Sequence, residues 1–128
     1  METNELSSKI ISAAINVHRE LGPGLLESVY HSCMIIELKN IGLETTSELS
    51  LPVKYRNQVI SKDGLRIDLL IEDKIIVELK SVEKIISLHK KQLLTYLRLA
   101  DKPLGLLINF NETILKNGIT RIINSQKT

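Results

Sequence analysis

The chain has little of several residue types that mark specialised protein classes. It contains one cysteine, Cys33, which cannot form an intrachain disulfide, so a disulfide-stabilised secreted scaffold is excluded and a reducing compartment is favoured. Aromatic residues make up only 3 %, without tryptophan, so the core must consist mainly of Ile, Leu and Val. No apolar run approaches the roughly 18 residues that span a bilayer, and the first residues, METNELSSK, lack a signal-peptide pattern. A cytoplasmic protein without membrane contact is expected.

The remaining composition is that of an ordinary globular protein. Apolar residues account for 43 % and charged residues for 25 % of the 128 residues, which predicts a single domain over 1–128. The net charge of +2 is unevenly distributed, because residues 1–80 carry −3 and residues 81–128 carry +5. The basic second half is compatible with phosphate binding, although lysines on solvated faces are common.

Hydrophobic periodicity predicts two helices at the start of the chain. They cover residues 5–21, with Asn4 as N-cap, and residues 25–40, with a Gly-Pro-Gly turn between them. The apolar spacing then changes to alternation, which predicts a strand over 49–55. Pro52 indicates an edge position for this strand.

The rest of the chain predicts a sheet with one more helix. A turn at Arg56-Asn57 and another at Lys62-Asp63-Gly64 are expected, followed by strands over 65–71 and 75–80. A helix over 88–100, strands over 104–108 and 119–123 and a frayed tail over 124–128 complete the pattern. The order α-α-β-β-β-α-β-β predicts an α/β (α+β) fold, a mixed β-sheet flanked by helices.

The strand pair 65–71 and 75–80 carries the acidic residues from which a site is predicted. Matching the apolar faces of the two strands pairs Ile71 with Ile75, Leu69 with Val77, and Ile67 with Leu79. Asp68 then lies opposite Glu78, and Arg66 lies opposite Lys80. Like charges directly opposed at ~5 Å are destabilising, and a divalent cation with oxygen ligands would compensate them.

Such a carboxylate pair suits phosphodiester hydrolysis. A divalent ion, Mg²⁺ or Mn²⁺, would polarise the scissile phosphate and lower the pKa of a bound water. Lys80 would orient that water or stabilise the developing charge. In the alternative, Asp68 and Glu78 merely solubilise an exposed sheet face, but Leu70 and Ile76 flank them on the same predicted face and argue against free solvation there.

At this point the residues resemble a known group. Ile67-Asp68, followed by Val77-Glu78-Leu79-Lys80, resembles the motif of the PD-(D/E)XK nuclease superfamily, with Ile-Asp in place of Pro-Asp. Residues 24–30, GLLESVY, resemble the signature of the small bacterial GxxExxY proteins, which are grouped with that superfamily. The resemblance extends over nearly the whole chain. It implies a restriction-endonuclease-like fold and a magnesium-dependent nuclease, with DNA as the expected substrate.

The resemblance also implies site residues on the second helix. Glu27 matches the helix-borne acid that many superfamily members use as an additional metal ligand, and it shares a helix face with Tyr30 and His31. In the alternative, Glu27 is a first-turn acid favoured by the helix dipole. Tyr30 is a candidate for a supporting or substrate-contacting role, and otherwise a core or rim aromatic.

The third helix supplies further candidates. Gln92 and Tyr96 resemble a motif that follows the catalytic strands in RecB-like nucleases, and His89 recurs on the same face. These residues would contact a phosphate or a water near the metal, or else form a polar packing seam. His89 is a poor ligand for hard Mg²⁺, which prefers oxygen. A neighbouring face forms either a DNA-backbone patch or an ordinary solvated surface, and it carries Lys90, Lys91 and Arg98.

Three functions are compatible with these residues. The first is a magnesium-dependent nuclease, the second a catalytically silent nucleic-acid- or protein-binding module of the same fold, and the third a structural accessory of a defence or repair system. The trio of Asp68, Glu78 and Lys80 favours the first, because a silent site has no need of opposed carboxylates. A homodimer is expected, because a chain of this size has little room for a separate DNA-grasping domain.

Overall fold

Residues 1–125, which the computed structural model describes, form three α-helices, one 3-10 helix and a five-stranded sheet. The elements in chain order are α1 (Thr3–Leu21), α2 (Glu27–Asn40), β1 (Thr45–Tyr55), β2 (Gln58–Ile71), β3 (Ile75–Lys80), α3 (Ser87–Ala100), β4 (Leu104–Asn109), the 3-10 helix (Leu115–Gly118) and β5 (Ile119–Ile123). The predicted order of helices and strands is confirmed. No helix within the described residues is long and apolar enough to cross a membrane.

The sheet is mixed, with its strands in the order β1-β2-β3-β4-β5. Neighbouring strands are antiparallel except for β3 and β4, which are parallel and paired from Ile75–Leu104 to Lys80–Asn109. A parallel pair needs a crossover connection, and α3 lies in the chain between these two strands. β1 is an edge strand, as Pro52 predicted, because an edge tolerates a residue without an N–H.

Two apolar clusters lie on opposite faces of the sheet. α1 and α2 cover one face, where Ile10 and Met34 belong to a cluster with Val77. α3 covers the other face, where Leu93 belongs to a cluster with Ile76. The alternate residues of β3 therefore enter different clusters, which explains its continuous apolar run. Full burial of each such side chain contributes about 1.5–3 kcal/mol, so the position of β3 between the helices is strongly fixed.

The first helix begins differently from the sequence prediction. α1 starts at Thr3 after Glu2, and Glu2 makes no side-chain capping hydrogen bond. The side-chain oxygen of Asn4 instead accepts a hydrogen bond from Arg121 at 3.2 Å. The predicted N-cap role of Asn4 is therefore wrong, because the helix begins one residue before Asn4, which lies within its first turn. The helix ends at Gly22, whose φ of 71° lies in the left-handed region.

β1 and β2 form a long hairpin. The predicted turn at Arg56-Asn57 is confirmed, and both residues have left-handed φ values of 48° and 65°. The predicted turn at residues 62–64 is wrong, because β2 continues through it and the β1–β2 pairing shifts there instead. Such a shift is a bulge. Gly64 is needed in it, since a Cβ at this position would lie 2.5 Å from Cγ2 of Val53.

The end of the described chain is anchored to the fold. Asn124 is buried, and its side-chain amide donates a hydrogen bond to the carbonyl of Lys102 at 3.1 Å. The prediction that fraying begins at Asn124 is therefore wrong. The prediction for residues 126–128 lies outside the described residues.

Candidate active site

β2 and β3 are paired over only three residues each. The antiparallel pairs are Ile71–Ile75, Leu70–Ile76 and Leu69–Val77, whereas β3 continues to pair with β4 as far as Lys80. The predicted register is thus confirmed for two of its three apolar pairs. The predicted pairs Ile67–Leu79 and Arg66–Lys80 are wrong, since the described pairing of these strands ends before them.

Arg66 has other partners than predicted. It pairs with Ser50 of β1, and its guanidinium lies 3.7 Å from the carboxylate of Glu48. Both side chains are largely exposed, so this ion pair contributes little to stability. Arg66 therefore contacts β1, whereas Lys80 lies at the end of β3, and the two residues are not paired.

Two carboxylates accept backbone hydrogen bonds at the point where the pairing of β2 with β3 ends. The backbone N–H of Asp68 donates to Oε2 of Glu78 at 2.8 Å, and the backbone N–H of Leu79 donates to Oδ2 of Asp68 at 2.8 Å. Each carboxylate therefore satisfies a backbone donor of the opposite strand, a donor that the open ladder would leave unpaired. Asp68 and Glu78 come together as predicted, but through crossed hydrogen bonds and not through direct strand pairing.

The alternation of side chains along β2 breaks at Asp68. Leu69 and Ile71 belong to the cluster under α1 and α2, whereas Ile67 joins Leu70 in the cluster under α3. The predicted common face of Ile67 and Leu69 is therefore wrong. On the adjacent strand, Glu48 has a left-handed φ of 51°, and the β1–β2 pairing passes over it. This irregularity lies beside Asp68, at the point where β2 changes faces.

The environment of Glu78 opposes its negative charge. Glu78 is only 7 % exposed, and burial, followed by the charge of Asp68, raises the pKa of its carboxyl to about 8. The hydrogen bond from Asp68 and the positive charge of Lys80 act in the opposite direction. A buried carboxylate beside a second one is disfavoured unless a cation accompanies it. The pair therefore has the electrostatic character of a cation site.

A cavity of about 240 Å³ opens beside Asp68, and Glu27 at the start of α2 contributes to its lining. Leu79 of β3 lines the same cavity. The charge of Glu27 also contributes slightly to the raised pKa of Glu78. A larger cavity of about 540 Å³ lies along α1 and α2 and contains none of the predicted site residues.

Tyr30 belongs to the core. Its ring is fully buried and stacks on Phe110 with centroids 4.4 Å apart. Its hydroxyl donates to the carbonyl of Gly22 at 2.6 Å and accepts from the N–H of Leu25 at 3.2 Å. A direct contact of Tyr30 with substrate is therefore wrong. The residue instead fixes the turn before α2, and with it the position of Glu27.

Replacing Tyr30 with Phe is expected to lower the free energy of unfolding by about 1–3 kcal/mol, because two hydrogen bonds to the turn are lost while the ring stacking remains. Urea denaturation measures this change. Tyr55→Phe serves as the control, since Tyr55 is largely exposed and should leave stability unchanged. Equal stability of Tyr30→Phe and the wild type would contradict this role.

Tyr96 is an α3 residue whose pKa is affected by the two carboxylates. Burial raises the pKa of its hydroxyl, and the negative charges of Glu78 and Asp68 raise it further. The side chain also packs against the apolar cluster under α3. Tyr96 therefore lies between the core and the site, which is compatible with both roles considered for it from the sequence.

The other α3 candidates lie elsewhere. Gln92 is exposed and lines a separate cavity of about 270 Å³ with Leu65 and Tyr96, so the expectation that it reaches the cavity beside Asp68 is wrong. His89 accepts a hydrogen bond at Nδ1 from the N–H of Ile86 at 3.1 Å, which caps the start of α3. The predicted basic face of α3 is solvent-exposed at each of its members, Lys90, Lys91 and Arg98.

His31 was given no role from the sequence, although it lies near the centre of the site. Its Nε2 is 3.2 Å from the carbonyl oxygen of Asp68 and 3.2 Å from Oγ of Ser47. The side chain thus links α2 to the point at which β2 leaves β3. Its spacing from Glu27 on the same helix face was the available signal.

The donor chemistry of the carboxylate pair fits a hard divalent cation. The described hydrogen bonds of Asp68 and Glu78 engage one oxygen of each side-chain carboxylate. Mg²⁺ commonly binds through one or two carboxylates together with water and substrate phosphate. Within residues 1–125, however, no three His, Cys, Asp or Glu side chains are grouped as a metal site. The predicted third ligand, Glu27, therefore lines the neighbouring cavity without completing such a group.

Comparison with known proteins identifies the family. A model of the PD-(D/E)XK nuclease superfamily matches residues 4–122. Searches of curated proteins and of solved structures gave no significant match. The resemblance to GxxExxY proteins stays a prediction. Nucleases of the superfamily generally use divalent metal ions, and the mixed sheet with helices on both faces is consistent with a restriction-endonuclease-like fold. Because the match extends over nearly the whole chain, the chain belongs to the PD-(D/E)XK nuclease superfamily.

Proposed function

We propose that the protein is a nuclease that uses Mg²⁺ or Mn²⁺ to hydrolyse phosphodiester bonds of DNA. The observation that carries this proposal is the crossed arrangement of Asp68 and Glu78 where β2 and β3 separate. Burial and the charge of Asp68 hold the pKa of Glu78 at about 8. The two backbone hydrogen bonds hold the carboxylates in place, and a bound cation would offset the repulsion between them.

Each residue of the site has a distinct role in this proposal. Asp68 and Glu78 would hold the cation, which supplies polarisation of the scissile phosphate and acidity for a water molecule. Lys80 would donate hydrogen bonds to the phosphate oxygens or the attacking water, and its positive charge would offset the charge that develops during cleavage. Glu27 would bind water in the cavity beside Asp68 and so support the cation from α2.

The experiment is a cleavage assay on labelled single-stranded and duplex DNA and RNA. The purified protein is incubated with Mg²⁺, Mn²⁺ or EDTA. Cleavage of DNA in the presence of either ion and its loss in EDTA are expected. Binding of nucleic acid without cleavage under every condition would overturn the nuclease proposal.

That last outcome corresponds to the second candidate function, a catalytically silent binding module. The observation that favours it is the lack, within residues 1–125, of a group of three metal-ligating side chains. The two functions differ in their dependence on Asp68. Asp68→Asn removes one carboxylate with little change in size, so it should abolish cleavage by a nuclease but leave binding by a silent module intact.

Replacing Glu27 with Ala is expected to lower the cleavage rate about 10- to 100-fold, the usual effect of removing a residue that supports metal ligands. Stability should change little, because Glu27 is exposed. Single-turnover cleavage and thermal unfolding measure the two effects. Glu20→Ala, at an exposed position near the end of α1, is the control. Equal rates for Glu27→Ala and Glu20→Ala would remove Glu27 from the site.

A further inference from the structure

The hairpin of β1 and β2 extends beyond the helices as an exposed ribbon. Residues 54–64, here called the ribbon, are solvent-exposed at every position on both strands. The two strands remain paired up to the turn, where Tyr55 lies opposite Gln58. A two-stranded hairpin is at best marginally stable in water on its own. A ribbon of this length without a covering helix is therefore a surface that a partner would stabilise.

The side chains of the ribbon indicate the chemistry of that partner. Three large apolar side chains are more than half exposed, at 65 % for Tyr55, 53 % for Val59 and 64 % for Ile60. The cations of the ribbon are Lys54, Arg56 and Lys62, against the single acid Asp63. Exposed apolar groups among cations favour an anionic partner that also offers apolar contacts. Duplex nucleic acid offers both, through its phosphates and its base edges.

The ribbon is continuous with the candidate active site. β2 runs without interruption from the ribbon to Asp68. At the root of the ribbon, Leu65 lines a cavity together with Lys91 and Tyr96 of α3. The pKa of Tyr96 is in turn raised by the charges of Glu78 and Asp68. Positively charged groups thus lie at the ribbon, at its root and, with Lys80, beside the carboxylates.

The length of the ribbon matches the geometry of a duplex. At about 3.3 Å per residue, the stretch of β2 from Gln58 to Asp68 spans roughly 30 Å, slightly less where the bulge shortens it. One turn of B-form DNA is about 34–36 Å long. A duplex held at Asp68 with its axis along β2 would therefore present its next turn to the tip of the ribbon. The tip carries Arg56, whose guanidinium lies over the ring of Tyr55 at 5.6 Å.

We propose that the ribbon docks in the major groove of duplex DNA, about one helical turn from the phosphate held at Asp68 and Glu78. The major groove of B-form DNA admits a two-stranded β-ribbon, whereas that of A-form RNA is too deep and narrow for side chains to read. This inference rests on the proposed function for the identity of the partner and deepens it by assigning duplex DNA as the substrate.

A second copy of the chain is the competing occupant, because β1 is an edge strand. Edge strands are templates for pairing with another chain. Two ribbons in direct contact would, however, bring their cations together, and like-charge juxtaposition disfavours such an interface. The charge of the ribbon therefore favours DNA over self-association.

The test is the affinity for a labelled duplex of about two helical turns, ~20 base pairs, measured by fluorescence anisotropy in EDTA. The ribbon variant combines Lys54→Ala, Arg56→Asn and Lys62→Ala. Asn is used at position 56 because it tolerates the left-handed φ found there. Its affinity should fall at least about 10-fold, and the slope of log K against log[salt] should weaken by about 0.9 for each phosphate that the variant no longer neutralises.

The matched control removes the same charge elsewhere, through Lys9→Ala, Lys39→Ala and Lys116→Ala, all at exposed positions. Its affinity should stay close to that of the wild type, and duplex RNA of the same sequence should bind the wild type more weakly than the DNA. Circular dichroism and thermal unfolding should give wild-type folding for both variants. Equal losses of affinity in both variants, or none in the ribbon variant, would overturn the proposal.

The oligomeric state, measured by light scattering, distinguishes DNA from a second copy of the chain as the partner of the ribbon. A ribbon variant that dissociates an oligomer but keeps wild-type affinity for DNA would assign the ribbon to a second copy and overturn the proposal. Because binding is measured without metal, the result is independent of catalysis. Ribbon-dependent binding by a protein that does not cleave would overturn only the nuclease proposal. Cleavage by a protein whose DNA affinity does not depend on the ribbon would overturn only the ribbon proposal.

Discussion

Replacing Lys80 with Ala is expected to lower the rate of DNA cleavage by about 100- to 1000-fold, the effect of removing one group that stabilises transition-state charge. Lys80 ends β3 two residues after Glu78, so both side chains leave the strand on the same face, and the positive charge of Lys80 lowers the pKa of Glu78. The backbone pairing of Lys80 with Asn109 does not depend on the side chain. Cleavage should therefore be lost while folding is retained.

Metal binding separates this role from that of the carboxylates. Calorimetric titration with Mn²⁺ should give binding by Lys80→Ala and none by Asp68→Asn, because an ammonium is not a metal ligand. Lys84→Ala is the control, since Lys84 is exposed and lies only four residues farther along the chain. Wild-type cleavage by Lys80→Ala would exclude Lys80 from the reaction. Loss of Mn²⁺ binding in that variant would show that Lys80 acts by shaping the carboxylate pair.

In the absence of metal, the stability of the wild-type protein is expected to fall as the pH rises from about 4.5 to 8. The pKa of Glu78 is raised from 4.5 to about 8 in the folded protein, mainly by burial and next by the charge of Asp68. Between these values the unfolded chain has released a proton that the folded protein still binds, so rising pH favours unfolding. At ~1.4 kcal/mol for each pKa unit, the loss is on the order of 5 kcal/mol.

Glu78→Gln removes this titration while its amide oxygen can still accept the hydrogen bond from Asp68. Urea denaturation in EDTA at several pH values should therefore give a smaller loss of stability with pH for Glu78→Gln than for the wild type. Mg²⁺ or Mn²⁺ should raise the melting temperature of the wild type, because it compensates the two carboxylates, and should not affect Glu78→Gln. Identical pH dependence of the two proteins would contradict the raised pKa assigned to Glu78.

Local pattern was enough to predict the elements and part of the site. Apolar matching paired Leu69 with Val77 and Ile71 with Ile75, which brought Asp68 to Glu78. The same rule failed for Ile67, which moves to the α3 face although it alternates regularly with Leu69 in the sequence. The exchange accompanies the end of the β2–β3 ladder and the left-handed conformation of Glu48 on another strand. Neither feature leaves a periodic signal near Ile67.

Other failures arise from tertiary contacts. Lys62-Asp63-Gly64 has the composition of a turn, but Gly64 is required by the close approach of Val53 across the bulge. Gln92 shares a helix face with Tyr96, yet it lines the cavity next to Leu65 at the root of the ribbon instead of the cavity beside Asp68. The role of Tyr30 depends on Phe110, which follows β4 and is distant in sequence. Spacing along one element cannot predict which distant residue its face meets.

The role of the crossed carboxylates is tested most directly by single-turnover cleavage of labelled duplex DNA by wild-type and Asp68→Asn proteins purified side by side. The wild type should cleave in Mg²⁺ or Mn²⁺ and stop in EDTA, and Asp68→Asn should show no metal-dependent cleavage although it remains folded. Metal-dependent cleavage by Asp68→Asn at the wild-type rate would contradict a catalytic site at Asp68 and Glu78.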